Sequence, residues 1–352
     1  MGVSVLNFGR VDEYPPGGVH KHLRGVRLEP IADKEAHVGA MSDTVKPSEA
    51  PSAPTGEQRV SATAGLSVAL TPRVATRSDG SRLEYFVSEP KGPVLVFINA
   101  LGLGLLAWRG LLEHFSKSHQ VICWKTPGIF GQPRTLQNHV EDLDLILATE
   151  NVTQCQIVTW CSGTKVALEF FRRRPIASSM VFMNGAYMSL PGLERFETPF
   201  EQTMLKLCQV VARRPDLAVM VMSSMRALLA GDTPGKNGVA SPLEGVAGLS
   251  ELKASLIEPF SSVETTINYS RQEVDYVSHD IAPSLAAVNV PVLLLGGQND
   301  RVSSADMSKA VAARLPNADY AEIENGTHYF LYEHPERVTA LIDTFFQGKA
   351  AG

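Results

Sequence analysis

Val158-Thr159-Trp160-Cys161-Ser162-Gly163 is the stretch that decides the fold, because an apolar strand turns sharply into a helix there. Its layout is that of a nucleophile elbow, usually written G-x-S-x-G, with Cys161 in the nucleophile position. Gly163 supplies the small residue that the tight turn needs, and Thr159 stands where the first glycine is usual. Unpaired N–H groups at the start of the following helix favour a thiolate at Cys161. The stretch predicts a reactive cysteine; a small buried side chain at a strand end is the alternative.

Two further side chains favour the catalytic interpretation. Asp300 follows the apolar strand that ends near Leu295, and His328 follows the next strand, just before the last helix. The chain order nucleophile, acid, histidine is the order found with this type of elbow. We expect His328 to take the thiol proton and Asp300 to orient the imidazole. The alternatives are a loop carboxylate that caps the next helix and a surface histidine.

An oxyanion hole is expected from two backbone N–H groups beside the nucleophile. One belongs to Ser162. The other belongs to Ala100 or Leu101, in the loop that follows the first buried strand. An ordinary glycine-rich turn is the alternative here. A dinucleotide-binding loop is excluded because the third glycine of that motif is missing.

Strand and helix patterns alternate along most of the chain, which predicts an α/β fold with a mostly parallel, doubly wound sheet. The segment 187–285 carries helical patterns without a buried strand, so we predict a helical cap inserted into the α/β core. The predicted core comprises residues 71–186 and 286–348. A Pro-, Ser- and Ala-rich composition makes residues 1–70 a predicted disordered tail, within which the true start is Met1 or Met41.

Composition excludes several classes of function. The 352 residues are 44% hydrophobic and 20% charged, with a formal net charge of −5, which argues against nucleic acid and anionic membranes as partners. No apolar run reaches the ~18 residues that a membrane-spanning helix needs. Four scattered cysteines without zinc spacing, and an N-terminus without a secretory pattern, predict a cytoplasmic protein with no metal and no cofactor of its own.

From Pro93 to Phe346 the chain resembles the α/β-hydrolase superfamily, through the elbow at Cys161 and the loops that carry Asp300 and His328. Within it, the Asn99-Ala-Leu-Gly loop and the Trp-Cys-Ser-Gly elbow resemble the stand-alone aminoacyltransferases of nonribosomal peptide pathways, of the syringomycin and coronatine type. That resemblance implies a role in antibiotic biosynthesis. It also implies transfer of an aminoacyl group between the phosphopantetheine arms of carrier proteins, through a cysteinyl thioester. Carrier-protein domains would then be the donor and acceptor partners.

Cysteine chemistry gives a separate reason to expect transfer, because exchange of one thioester for another is nearly thermoneutral. Transfer also requires exclusion of water, which the predicted cap is placed to provide. The alternative is a cysteine-dependent hydrolase, either a thioesterase or a lactone or ester hydrolase. A catalytically silent binding scaffold is the third hypothesis. The sequence does not identify the acyl group or the substrate-binding residues.

Overall fold

The computed structural model of the protein describes residues 65–230 and 249–350, together with Ser241, Leu243 and Val246. Residues 1–64 of the predicted tail, including Met1 and Met41, lie outside the described residues. Most of the span 231–248 within the predicted cap lies outside them as well.

One sheet of eight strands forms the centre of the fold. In chain order, β1 to β8 span Thr71–Thr76, Arg82–Val87, Val94–Ile98, Gln120–Cys123, Cys155–Trp160, Ala177–Met183, Val292–Gly297 and Ala318–Ile323. Their order across the sheet is β1-β2-β4-β3-β5-β6-β7-β8. β2 is antiparallel to both β1 and β4, and every pair from β4 to β8 is parallel. The predicted mostly parallel α/β sheet is confirmed.

Burial explains why the central strands are continuous apolar runs. Both faces of a parallel sheet are covered by helices, so alternate polar positions are not needed. In β3 the residues Leu95 to Ile98 are at most 2% exposed, and β5 and β7 are buried to a similar degree. By contrast, β1 at the sheet edge buries only Ala75, which is why its sequence carries no clear strand pattern.

Six helices cover the two faces of the sheet, and they are α1 (Arg109–Phe115), α2 (Leu136–Thr149), α3 (Gly163–Arg173), α9 (Ala305–Ala312), α10 (Phe330–Glu333) and α11 (Pro335–Ala350). The apolar stripes of α2, α3 and α9 pack in one hydrophobic cluster. Those of α1, α10 and α11 pack in a second cluster, on the opposite face. The sheet is therefore sandwiched between two helical layers.

The described elements between β6 and β7 are all helical. They include α4 (Pro199–Arg213), α5 (Ala218–Ala230), α6 (Leu249–Ile257), α7 (Val263–Ser278) and α8 (Ala282–Ala286). α4 and α5 share a small apolar cluster with Phe260, separate from the two sheet clusters. The sequence pattern indicates α4, α5 and α6 but not α7. The reason is that α7 buries several polar side chains, among them Thr266, Asn268 and Gln272.

Directional hydrogen bonds hold α7 against the core. The Gln272 amide donates to the carbonyl of Gly128 (2.8 Å), and the Asn268 amide donates to the carbonyl of Gly131 (2.7 Å). Its first turn is closed by a capping box between Ser262 and Thr265. Polar groups can be buried in α7 because they are hydrogen-bonded in this way. Within the described part of the chain, no helix is both long enough and apolar enough to cross a membrane.

The strand order creates a crevice at one edge of the sheet. The chain leaves β3 for β4 on one side and later returns to place β5 on the other side of β3. Ligands of open α/β sheets bind at the carboxyl ends of strands at such a switch point. The loop after β3 and the elbow after β5 meet there.

Candidate active site

Cys161 lies in the sharp bend between β5 and α3, as the sequence predicts. Its φ of 52° is in the left-handed region, which a residue other than glycine adopts only when the surroundings enforce it. The Cys161 N–H donates to the carbonyl of Met183 (3.0 Å), and its carbonyl accepts from Ala186 (3.1 Å) and Thr164 (3.2 Å). These backbone bonds fix the strained residue in the bend, where Cys161 lines the pocket.

The two residues on either side of the elbow show why it tolerates this sequence. A Cβ on Gly163 would lie 2.5 Å from the carbonyl oxygen of Ile98, so the predicted need for a small residue is explained by contact with β3. Thr159 fits in the first glycine slot because its hydroxyl is hydrogen-bonded to that of Thr164 (2.8 Å). The departure from the usual motif therefore leaves the bend intact.

Cys161, His328 and Asp300 are brought together at the carboxyl edge of the sheet. The side chains of Cys161 and His328 line one pocket, and the charge of Cys161 acts on the His328 imidazole. Nδ1 of His328 donates to Oδ2 of Asp300 at 2.8 Å. The other oxygen of Asp300 accepts from the N–H groups of Val302 (2.7 Å) and Ser303 (2.9 Å). These contacts fix the histidine tautomer and orient the second ring nitrogen for proton transfer.

Burial and charge act in opposite directions on His328. Burial alone lowers its pKa, but the negative charges of Asp300 and Cys161 and the hydrogen bond to Asp300 raise it to about 10. The imidazole is 4% exposed. A protonated ring is therefore favoured as long as both negative partners are present.

The position of His328 depends on a residue that the sequence patterns did not reveal. Asn184 follows β6 with a φ of 45°, and its amide donates to the carbonyl of His328 (3.0 Å). Its side-chain oxygen accepts from the N–H of Gly297 at the end of β7 (2.9 Å). Trp160 also donates to the His328 carbonyl (3.1 Å). The sequence feature that could have indicated this role is the position of Asn184, a polar residue directly after a buried strand.

Asn99 organises the loop after β3. Its amide nitrogen donates to the carbonyls of Leu103 (2.6 Å) and Gly104 (2.7 Å). Its oxygen accepts from the Ala100 N–H (2.9 Å) and from the indole of Trp108 (3.0 Å). Both donor hydrogens and both acceptor positions of this buried amide are used in hydrogen bonds, so the loop is held in one conformation.

The predicted oxyanion donors are arranged differently from the expectation. The Ala100 N–H already donates to Asn99, which does not fit a role as an open donor. The Leu101 N–H donates to Oγ of Ser162 at 2.7 Å. Ser162 lines the same pocket as Cys161 and His328, and its backbone N–H remains the expected first donor.

The three residues Cys161, Ser162 and His328 line a pocket with an empty volume of about 940 Å³, its open mouth included. Cap residues supply much of its wall, and they are mostly apolar: Phe200, Met204, Leu256, Phe260, Tyr269 and Val277. Such a wall suits an apolar part of a substrate.

Three ionisable side chains interrupt this apolar wall, and sequence reasoning identified none of them. Lys165, one turn beyond Cys161 on α3, donates to the carbonyl of Tyr276 (2.7 Å), and burial lowers its pKa to about 8. Burial raises the pKa of Glu201 on α4 to about 7. Burial also raises the pKa of Glu273 on α7, an effect partly offset by the charge of Lys165. The pocket can therefore change its charge near neutral pH.

This fold, with Cys161, Asp300 and His328 in that chain order at the carboxyl edge of its sheet, is typical of the α/β-hydrolases. The sequence profile of the alpha/beta hydrolase family matches residues 95–341. The chain belongs to that family.

Individual relatives are distant but cover most of the chain. The (E)-2-((N-methylformamido)methylene)succinate hydrolase of Acinetobacter baylyi is 22% identical over 279 residues, which are 76% of this chain and 95% of the relative. A thermophilic esterase from Thermogutta terrifontis superposes with a TM-score of 0.58 at 17% identity, over 80% of this chain and 99% of the esterase. An enol-lactonase from Burkholderia xenovorans superposes with a TM-score of 0.56 at 17% identity, over 79% and 96% of the two chains. Those superpositions show a shared fold.

Proposed function

We propose that the protein is a cysteine-dependent acyl-cleaving enzyme of the α/β-hydrolase family that hydrolyses an ester, lactone or thioester. The observation that carries the proposal is the placement of Cys161 and His328 in one largely apolar pocket, with His328 hydrogen-bonded to Asp300. The names of the similar proteins favour hydrolysis over transfer, so the alternative from the sequence becomes the first candidate.

The proposed mechanism has two half-reactions. His328 takes the thiol proton while Cys161 sulfur attacks the substrate carbonyl, and the Ser162 N–H helps to bind the resulting oxyanion. When the tetrahedral intermediate collapses, the leaving group departs with the proton held by His328, and an S-acyl cysteine remains. His328 then takes a proton from water as the water attacks this thioester, and the acid product leaves as Cys161 recovers its proton.

Transfer is the second candidate, and the identity of the nucleophile favours it. In place of water, the thiol of a phosphopantetheine arm would attack the S-acyl cysteine, and one thioester would replace another. The resemblance to aminoacyltransferases supports an aminoacyl cargo and carrier-protein donors and acceptors. The apolar cap residues around the thiol support restricted access of water.

Intact mass spectrometry after mixing with acyl-pantetheine thioesters tests the covalent step. We expect a mass increase of one acyl group on the wild type and none on Cys161→Ala. Cys123, Cys155 and Cys208 are buried, and the variant retains all three, so it also controls for adducts on other thiols. A persistent adduct on Cys161→Ala would rule out this nucleophile.

The fate of the acyl group separates the two candidates. The acyl-enzyme is isolated and divided between buffer and buffer with an unloaded carrier protein. Release of free acid at the same rate in both supports hydrolysis. Appearance of the acyl group on the carrier, with little free acid, supports transfer.

A further inference from the structure

The second oxyanion donor of this site is not supplied by an open backbone N–H. In the loop after β3, the N–H of Leu101 points at Oγ of Ser162, at 2.7 Å. The neighbouring N–H of Ala100 is bound to Asn99. The Ser162 hydroxyl is therefore bound to the loop at the N–H group that was expected to be open.

The Ser162 hydroxyl is placed unusually for a serine in front of a helix. A serine in this position commonly accepts a hydrogen bond from an N–H of the first helical turn. Ser162 makes no such capping bond to α3. Its oxygen instead accepts from the Leu101 N–H, and its side chain borders the pocket beside Cys161.

The hydroxyl proton is available for a substrate. A hydroxyl can accept and donate at the same time, and Oγ is used here as an acceptor. Within the part of the chain that the structure describes, no protein group accepts the Ser162 hydroxyl proton, and the residue is only 6% exposed. A hydroxyl that already accepts from an N–H is polarised, which makes it a stronger donor.

We propose that the Ser162 side chain is a catalytic oxyanion donor. Leu101 N–H would donate to Ser162 Oγ, and the Ser162 hydroxyl would donate to the substrate oxyanion, so the three groups form a hydrogen-bond relay. Ser162 then contributes two donors, its backbone N–H and its hydroxyl. The hydroxyl keeps its proton throughout, so no bond other than hydrogen bonds changes at this residue. The proposal rests on the acyl-cleaving function proposed above.

The competing arrangement makes the opposite prediction. If Ser162 merely blocks the Leu101 N–H in the free enzyme, its side chain must rotate away before the backbone can bind the oxyanion. Removal of the hydroxyl would then open the hole and leave acylation unchanged or faster. If the hydroxyl is the donor, its removal slows acylation.

The test compares acylation and alkylation of Cys161 in the wild type, Ser162→Ala and Ser162→Thr. Acylation by a p-nitrophenyl ester needs an oxyanion hole, whereas alkylation by iodoacetamide does not. We expect Ser162→Ala to acylate about 10²-fold more slowly, the effect typical of losing one oxyanion donor. Alkylation should stay within about twofold, and Ser162→Thr should recover most of the acylation rate because it restores the hydroxyl.

Ser308→Ala provides a matched control, since Ser308 is also a buried serine, lies on α9 outside the pocket, and has a hydroxyl with no hydrogen-bond partner among the described residues. Its acylation rate should equal that of the wild type. An unchanged or faster acylation in Ser162→Ala would overturn the proposal, and so would equal losses of acylation and alkylation, which indicate a structural role. Acylation that survives in Cys161→Ala would instead refute the proposed function.

A thionoester adds a readout that a structural defect would not change. Sulfur accepts hydrogen bonds more weakly than oxygen, so an intact oxyanion hole acylates the ester faster than the thionoester. In Ser162→Ala, the ratio of the ester to the thionoester acylation rate should fall by about the same factor as the ester acylation rate itself. A preference that stays at the wild-type value would contradict the relay.

Discussion

Glu201 stands in the first turn of α4 with its carboxylate on the pocket, and replacing it by glutamine should stabilise the fold in a pH-dependent way. Burial raises the pKa of Glu201 from 4.5 to about 7, against the effect of the hydrogen bond from the Thr198 N–H. The same N–H bond (2.9 Å) belongs to the capping box of α4. A glutamine can keep this bond, so Glu201→Gln removes the charge and changes one further contact, the 3.3 Å hydrogen bond that the Ser303 hydroxyl donates to the other carboxylate oxygen.

The expected gain in the free energy of unfolding follows from the difference between the pKa of Glu201 in the folded and in the unfolded chain. Below pH ~4.5 the carboxyl group is protonated in both the folded and the unfolded chain, so the variant and the wild type should be equally stable. As pH rises through the window from 4.5 to about 7, the unfolded chain ionises first, and the wild type loses stability relative to the variant. The full difference corresponds to about 3 kcal/mol. Solvent screening of the partly exposed carboxylate reduces this to ~1–2 kcal/mol.

Urea unfolding followed by tryptophan fluorescence at pH 4.5, 6, 7 and 8 measures this difference. The stability gain of Glu201→Gln should grow across the first three values and then level off. Glu84→Gln, which alters an exposed carboxylate on β2, should show no such growth. A gain that is constant with pH, or a variant that becomes less stable than the wild type as pH rises, would refute the reasoning.

Two other replacements test the scaffold of the site. Asn99→Ala removes four hydrogen bonds around a buried amide and should lower the free energy of unfolding by about 2–4 kcal/mol; Asn99→Asp should lower it at least as much, because a buried carboxylate oxygen would face two carbonyl oxygens. Asp300→Asn should slow acylation by about 10³-fold or more in stopped-flow experiments, because the imidazole loses its orienting carboxylate; an effect below tenfold would contradict that role. The raised pKa of His328 stabilises the fold below pH 6.5, and this stability is lost as pH rises towards about 10. Thermal unfolding should therefore show the loss at lower pH in Asp300→Asn.

The sequence predicts the sheet well because its signals are local. Continuous apolar runs mark β3, β5 and β7, and the sharp bend at Cys161 follows from neighbouring residues alone. β1 escaped prediction because an edge strand with one buried side chain has little pattern. α7 escaped because its buried face holds polar groups whose partners, such as the carbonyls of Gly128 and Gly131, are distant in the chain. Hydrophobic periodicity does not detect a helix of this kind.

The candidate site shows the same division between local and long-range information. Cys161, Asp300 and His328 follow strand ends and could be selected by their order in the chain. The ionisable side chains in the pocket wall could not be selected in this way, because Glu201 and Glu273 reach the pocket only through the packing of α4 and α7. Likewise, the bond between Ser162 and the Leu101 N–H joins residues 61 positions apart, and no pattern in the sequence indicates it.

The scattering of this site over separate strand ends has a consequence during synthesis of the chain. Cys161 leaves the ribosome long before His328, which follows the final strand β8. Until β8 has joined β7, His328 does not lie beside Cys161, so under the proposed mechanism the nascent chain lacks the base that acylation at this position requires. Chemical competence then arises in one late step, and the onset of catalysis during refolding should report the docking of the carboxyl-terminal strand.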